Sequence, residues 1–380
     1  MNYFVGNNIT FATDIYNYNK MKTLTIGDLK AKVPIIQGGM GVGISLSGLA
    51  SAVANEGGIG VISCAGLGLL YNKLSSNFGE ASILGLKEEL RKAHEKAKGI
   101  IGVNVMVAMT NFADMVKTSI AEKADIIFSG AGLPLDLPSF LPKGSKTKLV
   151  PIVSSARAVK IICEKWQSQY NYLPDAVVVE GPKAGGHLGY KENQIADEHF
   201  SLEEILPQVV HEVSLFEEKF NKKIPVIAAG GIYTGADIHR MMELGASGVQ
   251  LGTRFVTTDE CDASLEFKEQ CLNAKEEDIE IIKSPVGMPG RAIGCSFIEK
   301  VKEGVKQPKS CPFHCIKTCD ISKSPYCIML ALYNAFKGNF NNGYAFAGAN
   351  AYRANKITSV KNTISELMKE WKEKELFTKK

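Results

Sequence analysis

Eight short runs rich in valine and isoleucine, separated by longer amphipathic stretches, constrain the fold of this chain more than any other feature. The runs are predicted strands at Val33–Gln37, Gly58–Ser63, Ile100–Met106, Ala124–Phe128, Lys148–Val153, Asp175–Glu180, Ile224–Ala229 and Ser247–Leu251. Continuous apolar strands joined by helices are typical of a parallel sheet covered on both faces. Eight such units predict a closed (β/α)8 TIM barrel, with an open doubly wound sheet as the alternative. Polar and glycine-rich motifs follow nearly every run, which favours the barrel because its eight strand ends all meet on one face.

The stretches between the runs have the periodicity of amphipathic helices. The predicted helices are Ser47–Glu56, Ile83–Lys98, Asn111–Lys123, Ala156–Gln169, Leu202–Phe220 and Ala236–Leu244, with Ser47, Asn111 and Ser155 as N-caps. The barrel is predicted to span residues 21–255. Residues 256–380 form a C-terminal extension that packs on the barrel, with a helix at Thr358–Lys374 whose mixed charges predict a solvated face. Residues 1–20 match no element and form a predicted N-terminal arm, and Met21 would suit a true start.

Composition limits the class and the compartment. Of the 380 residues 45% are hydrophobic and 22% are charged, which excludes a wholly disordered chain or a fibre. The formal net charge of +4 is too small, and too evenly spread, to predict nucleic-acid binding. The N-terminus lacks a basic stretch followed by an apolar one, and polar residues interrupt the uncharged stretch 33–55. The sequence therefore predicts a cytoplasmic protein that acts on a small molecule away from membranes, and it leaves a homodimer open.

Two glycine motifs follow the last two predicted strands. Gly230-Gly231 comes after the seventh strand, and Gln250-Leu251-Gly252-Thr253 comes at the end of the eighth. In TIM barrels the loops after these two strands commonly bind a phosphate. Glycine lets the backbone approach the anion, while exposed N–H groups and a helix N-terminus supply positive potential. The motifs predict a phosphate site, with tight turns that merely need glycine as the alternative.

Three other strand ends carry small or polar residues. Gly39-Met40 follows the first strand, where a chain with little side-chain bulk would run close to a flat ligand. Asn104 lies on the third strand, and its amide needs a partner such as the edge of a heteroaromatic ring or a neighbouring loop. His187 follows Gly185-Gly186 in the loop after the sixth strand. Because histidine can donate or accept a proton near neutral pH, His187 is the predicted catalytic residue.

Together these motifs resemble the nitronate monooxygenase family, formerly called 2-nitropropane dioxygenases, and the related flavin-dependent enoyl-acyl-carrier-protein reductases. The matching pieces are PIIQGGMG, GVNVMV, EGPKAGGHLG, IPVIAAGGI and GVQLGTRF, in the expected order from about Pro34 to Phe255. The resemblance implies an FMN-binding barrel with an added lid region, and it makes His187 the active-site histidine. It implies that the FMN phosphate is held by Gly231, Gln250, Gly252 and Thr253. It implies that the isoalloxazine is lined by Gly39, Met40, Asn104, Gly185 and Gly186.

The activity that the resemblance implies is oxidation of an alkyl nitronate with oxygen to a carbonyl compound and nitrite. His187 would stabilise the anionic nitronate or remove the α-proton of a neutral nitroalkane. The reductases use the same site residues but take electrons from NAD(P)H and reduce an enoyl substrate, so enoyl reduction and a general NAD(P)H:acceptor reaction remain alternatives. A further alternative is a non-flavin barrel enzyme that binds a phosphorylated metabolite, for which Glu180 and Lys183 are the candidate residues.

Two features of the extension carry separate predictions. Four cysteines in CPFHCIKTCDISKSPYC would bind an iron–sulfur cluster or zinc. The alternatives are structural thiols or a redox-sensitive disulfide pair. If this segment were a helix, the first three cysteines would share one face. These cysteines are Cys311, Cys315, Cys319 and Cys327. Residues Gly343–Asn350 place small residues around two aromatic ones, which predicts either close packing on the barrel or a lid over the flavin. Tyr344 and Asn350 are the residues that would test the lid.

Overall fold

A computed structural model describes residues 23–378, in which eight of the strands close a parallel barrel. The strands in chain order are β1 (Leu24–Ile26), β2 (Leu29–Ala31), β3 (Ile35–Gln37), β4 (Ile59–Ser63), β5 (Ile100–Met106), β6 (Ile126–Gly130), β7 (Lys148–Val153), β8 (Val177–Glu180), β9 (Gly186–His187), β10 (Val226–Ala229), β11 (Gly248–Leu251), β12 (Ile279–Lys283) and β13 (Pro289–Ile293). The barrel runs β3-β4-β5-β6-β7-β8-β10-β11 and closes from β11 back to β3. The predicted TIM barrel is confirmed, and all eight predicted strands are present.

Helices connect most of the barrel strands, as predicted. In chain order they are α1 (Ser47–Asn55), α2 (Leu67–Leu70), α3 (Phe78–Lys96), α4 (Phe112–Ala121), α5 (Ala156–Tyr170), α6 (Glu192–Ile195), α7 (Leu202–Phe220), α8 (Gly235–Glu243), α9 (Thr253–Val256), α10 (Leu265–Asn273), α11 (Ser296–Lys302), α12 (Ile328–Phe336) and α13 (Val360–Thr378). Between β6 and β7 a short 3-10 turn, Leu137–Phe140, replaces the α-helix. None of the helices within residues 23–378 combines the length and hydropathy of a membrane span. The predicted arm at residues 1–20 lies outside the described residues.

Of the three residues predicted to be helix N-caps, only one caps its helix with its side chain. Ser155 caps α5, since its hydroxyl accepts the N–H of the third helical residue. Ser47 is instead the first residue of α1, and its own N–H donates to the buried carboxylate of Glu89 at 2.6 Å. Asn111 occupies the N-cap of α4 without capping it, and both of its amide atoms are buried without a hydrogen-bond partner in the described part of the chain.

The barrel has an inner core and an outer core. Strand side chains such as Ile36, Phe128 and Val178 fill the interior, and the hairpin β1–β2 adds Leu24 and Ile26 to the same cluster. The hairpin therefore covers the amino-terminal end of the barrel and leaves the other end for a site. Each fully buried aliphatic or aromatic side chain of this kind contributes about 1.5–3 kcal/mol to stability.

The C-terminal helix completes the helical ring of the barrel. After β11 the chain forms the extension and then returns as α13, which packs against α8 and α1. One apolar stripe of α13 is buried, formed by Val360, Ile364, Leu367 and Trp371. The solvated face predicted for this helix is therefore only its outer face. In the predicted division of the chain at residue 255, this helix belongs to the extension.

The rest of the extension lies over the carboxyl-terminal end of the barrel. Its hairpin β12–β13 pairs with β9, a two-residue strand in the loop after β8, so that His187 lies opposite Gly290. Barrel and extension thus share a three-stranded sheet. The extension also supplies an apolar cluster above the barrel mouth that includes Phe267, Cys271 and Ala335.

Candidate active site

One cavity of about 270 Å³ opens at the carboxyl-terminal end of the barrel. It is lined by His187 and by every residue predicted to bind the cofactor, namely Gly39, Met40, Asn104, Gly185, Gly186, Gly230, Gly231, Gln250, Gly252 and Thr253. These residues lie on β5 and β11 and on the loops after β3, β8, β10 and β11. The barrel topology therefore brings together motifs that are far apart in the chain. Their contact with a cofactor stays a prediction.

The loops after β10 and β11 form one end of the cavity, here called the phosphate end. Gly230 and Gly231 have backbone φ angles of +93° and +87°, which residues that carry a side chain rarely adopt. A Cβ atom on Gly231 would lie 2.8 Å from the Cβ atom of Lys183. Thr253 begins the short helix α9 directly after β11. Loops after strands seven and eight with a short extra helix are the arrangement that TIM barrels use for phosphates.

The longer helix at this end, α8, does not offer its N-terminus to an anion. Thr234 and Asp237 form a capping box on its first turn. The N–H of Gly235 donates to a carboxylate oxygen of Glu370, on α13, at 2.6 Å. Because these groups already occupy the first turn, the positive potential expected at the phosphate end comes from the loops and from the start of α9.

A segment of the extension, residues 347–350 and here called the strap, crosses the phosphate end. A Cβ atom on Gly185 would lie 2.6 Å from the backbone nitrogen of Gly348, so the strap touches the loop after β8. Three hydrogen bonds tie it to the loops around the phosphate end, from Gly348 N–H to Thr253 Oγ1 (3.2 Å), from Ala349 N–H to Lys183 O (3.1 Å) and from Asn350 Nδ2 to Gly231 O (2.6 Å). A fourth, from Ala347 N–H to Arg291 O (3.1 Å), joins it to β13. Asn350 itself lines the cavity, whereas the predicted test residue Tyr344 is fully buried and bonds Tyr326.

The cavity is also narrow beside the loop after β3, because glycine allows this loop to approach β5 and the loop after β11. A Cβ atom on Gly39 would lie 2.3 Å from the Cβ atom of Asn104, and one on Gly252 would lie 3.3 Å from Met40 Sδ. The side-chain amides of Asn104 and Gln250 line the cavity, and neither has a hydrogen bond to any residue of the described chain. Unpaired amides beside glycine backbone suit a planar ligand with polar edges.

The extension positions His187. Its Nε2 atom lies 2.7 Å from the Oγ atom of Ser284, and its ring packs edge-on against Phe346 at a centroid distance of 5.0 Å. Burial lowers the pKa of His187 to about 4, so the imidazole is neutral at physiological pH. Sequence reasoning missed Ser284, which follows β12 and precedes the turn PVGMPG, because nothing local in the sequence shows that this turn meets the loop of His187.

Arg291 is a second residue that sequence reasoning missed. It lies on β13 inside PVGMPGRAI, and its buried guanidinium donates to the carbonyl oxygens of Pro182 and Ala184, the latter at 2.7 Å. These bonds hold the loop that presents Gly185, Gly186 and His187 to the cavity. Burial lowers the pKa of Arg291 from its ordinary value.

The charges that line the cavity are few. Among its described lining residues Glu180 is the carboxyl group and Lys183 is the basic group, and no ion pair joins them. Burial raises the pKa of Glu180 to about 7. Lys183 is exposed at the mouth and runs beside Gly231 of the phosphate end.

The side of the cavity that faces the extension is apolar. Phe267 and Cys271 of α10 and Leu332 of α12 reach it, together with Ile44 from the loop after β3. Burial raises the pKa of Cys271 to about 12, so this thiol is not a reactive nucleophile. This side can therefore receive the apolar part of a substrate.

The cysteine cluster lies outside this cavity. Residues 311–327 form turns and extended backbone, so the condition under which the first three cysteines would share a helix face is not met. All nine cysteines are free, and within residues 23–378 no three histidine, cysteine or acidic side chains are grouped to hold a metal ion. The predicted zinc or iron–sulfur site gains no support here and stays a prediction.

Comparison with known proteins finds relatives of this chain both in sequence and in structure. A family model described as nitronate monooxygenase matches residues 22–370. A probable nitronate monooxygenase of Staphylococcus haemolyticus is 27% identical over 323 residues, covering 75% of this chain and 81% of the relative. The structure of FabK from Thermotoga maritima matches with a TM-score of 0.69 and 26% identity over 91% of this chain and 95% of that one. Nitroalkane oxidase of Streptomyces ansochromogenes, 20% identical, shares the fold with a TM-score of 0.69, covering 91% and 97%.

Proposed function

The chain belongs to the nitronate monooxygenase family, and we propose that it is an FMN-dependent enzyme that oxidises alkyl nitronates with oxygen to a carbonyl compound and nitrite. Membership of the family makes the protein a flavin-dependent oxidoreductase. The observation that carries the finer proposal is the meeting, in one cavity, of a glycine-rich phosphate end, two unpaired amides and a half-buried neutral histidine.

FMN fits the groups that line the cavity. Gly230, Gly231 and Thr253 would hold its phosphate, and Asn104 would pair with the polar edge of its ring. Gln250, which the resemblance assigns to the phosphate, lies beside Gly38 in the loop after β3 and would instead pair with the ring. The pairing is favourable because a buried polar group left without a partner costs about 1–3 kcal/mol. When bound, FMN supplies the two-electron redox chemistry that these side chains cannot supply.

The protein's own contribution centres on His187. A neutral imidazole either accepts the α-proton of a nitroalkane or donates an N–H to a nitronate oxygen, depending on its tautomer. Ser284 fixes the ring in either case, since its hydroxyl can donate to Nε2 or accept from it at 2.7 Å. Phe346, from the extension, packs edge-on against the same ring.

The apolar side of the cavity bears on the substrate. Phe267, Cys271 and Leu332 offer a surface for an alkyl chain and no group that would bind a charge. A nitronate with an alkyl chain suits this division, because its anionic head would lie near His187 and its chain near the extension. The same apolar surface would accept an acyl chain, which favours NAD(P)H-dependent enoyl reduction as the second candidate.

The deciding experiment is an anaerobic visible spectrum of the FMN-loaded protein before and after addition of an alkyl nitronate or of NADH and NADPH. Loss of the flavin bands with the nitronate alone supports the proposal. Loss only with a pyridine nucleotide overturns it in favour of the reductase. A protein that takes up no FMN overturns both and returns attention to a barrel that binds a phosphorylated metabolite.

A further inference from the structure

We infer that the strap, residues 347–350, is part of the phosphate site, and that Asn350 is a positioning residue that sets the shape of the loop after β10 for the phosphate. The inference rests on the proposed function, because it takes FMN as the ligand. The extension would then help to retain FMN, in addition to positioning His187.

The loop after β10 needs an external constraint. Gly230 and Gly231 both have positive φ angles, and glycine visits many other conformations at little cost. The amide of Asn350 donates to the carbonyl oxygen of Gly231 at 2.6 Å. Because a peptide unit is planar, fixing this oxygen also fixes the direction of the N–H of Ile232, which lines the cavity. Asn350 therefore reduces the ordering that phosphate binding would otherwise require.

The strap also orients the hydroxyl group of Thr253. This hydroxyl accepts the N–H of Gly348 at 3.2 Å. A hydroxyl has one proton and two lone pairs, so this bond leaves the proton free to be donated to a phosphate oxygen. The neighbouring bond from Ala349 N–H to the carbonyl oxygen of Lys183 ties down the residue that carries the basic group of the cavity.

Glycine on both sides makes this close fit possible. A Cβ atom on Gly348 would lie 2.8 Å from Thr253 Oγ1, and one on Gly185 would lie 2.6 Å from the backbone of the strap. Contacts of this length leave no space for a methyl group unless the strap or the loops shift. The strap thus packs against the loops after β8, β10 and β11. It would have to move away from them before the phosphate leaves.

The test compares the affinities of FMN and riboflavin, which differ only by the phosphate. Asn350→Ala should weaken FMN binding by about tenfold, the effect of one lost hydrogen bond, and should leave riboflavin binding unchanged. Release of FMN after dilution, followed by free-flavin fluorescence, should quicken by a similar factor. Asn341→Ala is the matched control, because Asn341 is an exposed asparagine of the extension, a few residues before the strap, and lies outside the cavity.

A second variant, Gly348→Ala, guards against a folding defect in the first. Its added methyl should displace the Thr253 hydroxyl and again affect FMN more than riboflavin, and thermal unfolding of the flavin-free protein measures any loss of stability caused by the methyl group itself. Equal losses for both flavins, or no change in FMN affinity, would overturn the inference. An unaltered protein that binds neither flavin would instead show that the proposed function itself is wrong.

Discussion

The Nε2 atom of His187 and the Oγ atom of Ser284 lie 2.7 Å apart, although the two residues are 97 positions apart in the chain. His187 follows the sixth barrel strand, and Ser284 lies in the turn between β12 and β13. Two backbone bonds shape that turn, from Gly287 N–H to Ser284 O at 3.0 Å and from Ser284 N–H to Met288 O at 3.3 Å. The extension, rather than the barrel, therefore orients the imidazole.

Loss of the Ser284 hydroxyl should slow the reaction without releasing the cofactor. In Ser284→Ala the imidazole loses one oriented hydrogen bond worth about 1 kcal/mol, so we expect kcat to fall by roughly fivefold. Steady-state oxygen consumption with an alkyl nitronate measures kcat, and the flavin absorbance of the purified variant measures FMN content. Ser168→Ala, on the exposed face of α5, is the control. Unchanged kcat in Ser284→Ala would show that this hydroxyl does not orient the ring.

Replacement of His187 should separate binding from turnover. His187→Asn should keep FMN bound and lower turnover by about 10²–10⁴-fold, the usual contribution of a general acid or base. Because the pKa of His187 is lowered to about 4, turnover of the unaltered protein should not change near pH 6.5 and should fall only as the pH approaches 4. His211→Asn, at an exposed position of α7, is the control. Full activity of His187→Asn would contradict a role in proton transfer or substrate binding.

The parts of the fold that the sequence predicts are those whose signal is local. Strand β5, Ile100–Met106, is an apolar run interrupted only by Asn104, and its predicted and observed bounds agree. The glycine motifs are readable for a similar reason, since the barrel topology alone brings all strand ends to one face. Thus residues as distant as Gly39 and Thr253 could be assigned to one site.

The parts that the sequence does not predict depend on contacts between distant segments. Ser284 and Arg291 act on the loop that carries His187 through a strand pairing that no local pattern encodes. In α13 the apolar stripe of Ile364 and Leu367 is present, but charges of both signs around it suggested a solvated helix. The spacing of the cysteines at Cys311–Cys319 is compatible with a helix face and with a loop, and no local pattern decides between them; the structure has turns there.

Glu180 should make the stability of the flavin-free protein depend on pH. Its pKa is raised from 4.5 to about 7 in the folded protein, so the folded state binds more protons than the unfolded state between these values. The stabilisation is complete below pH 4.5 and is lost as the pH rises through 7. Relative to Glu180→Gln, the free energy of unfolding should therefore fall by about 1–3 kcal/mol between pH 5 and 8.

Denaturant unfolding at several pH values measures this difference. His187 acts in the opposite direction, with stability rising between pH 4 and 6.5, but it is present in both proteins and cancels in the comparison. Glu192→Gln, exposed at the start of α6, is the control and should follow the unaltered protein. Parallel pH profiles for Glu180→Gln and the unaltered protein would show that Glu180 titrates at its ordinary pKa.

Asp262 should prove to be the main attachment of the extension to the first barrel helix. Its half-buried carboxylate accepts the N–H groups of Leu46 at 2.8 Å, Leu49 at 3.1 Å and Gly48 at 3.2 Å. A Cβ atom on Gly48 would lie 2.4 Å from the same carboxylate, so glycine at this position permits the contact. Asp262→Ala leaves these N–H groups unpaired at the N-terminus of α1, which should cost about 2 kcal/mol of the free energy of unfolding.

Thermal and denaturant unfolding measure this cost, and Asp259→Ala is the matched control because Asp259 is exposed in the same loop. Asp262→Asn should lie between the two, since an amide keeps one acceptor oxygen but loses the negative charge that favours a helix N-terminus. Equal stability of Asp262→Ala and Asp259→Ala would mean that apolar packing alone, through residues such as Ile44 and Phe267, holds the extension on the barrel.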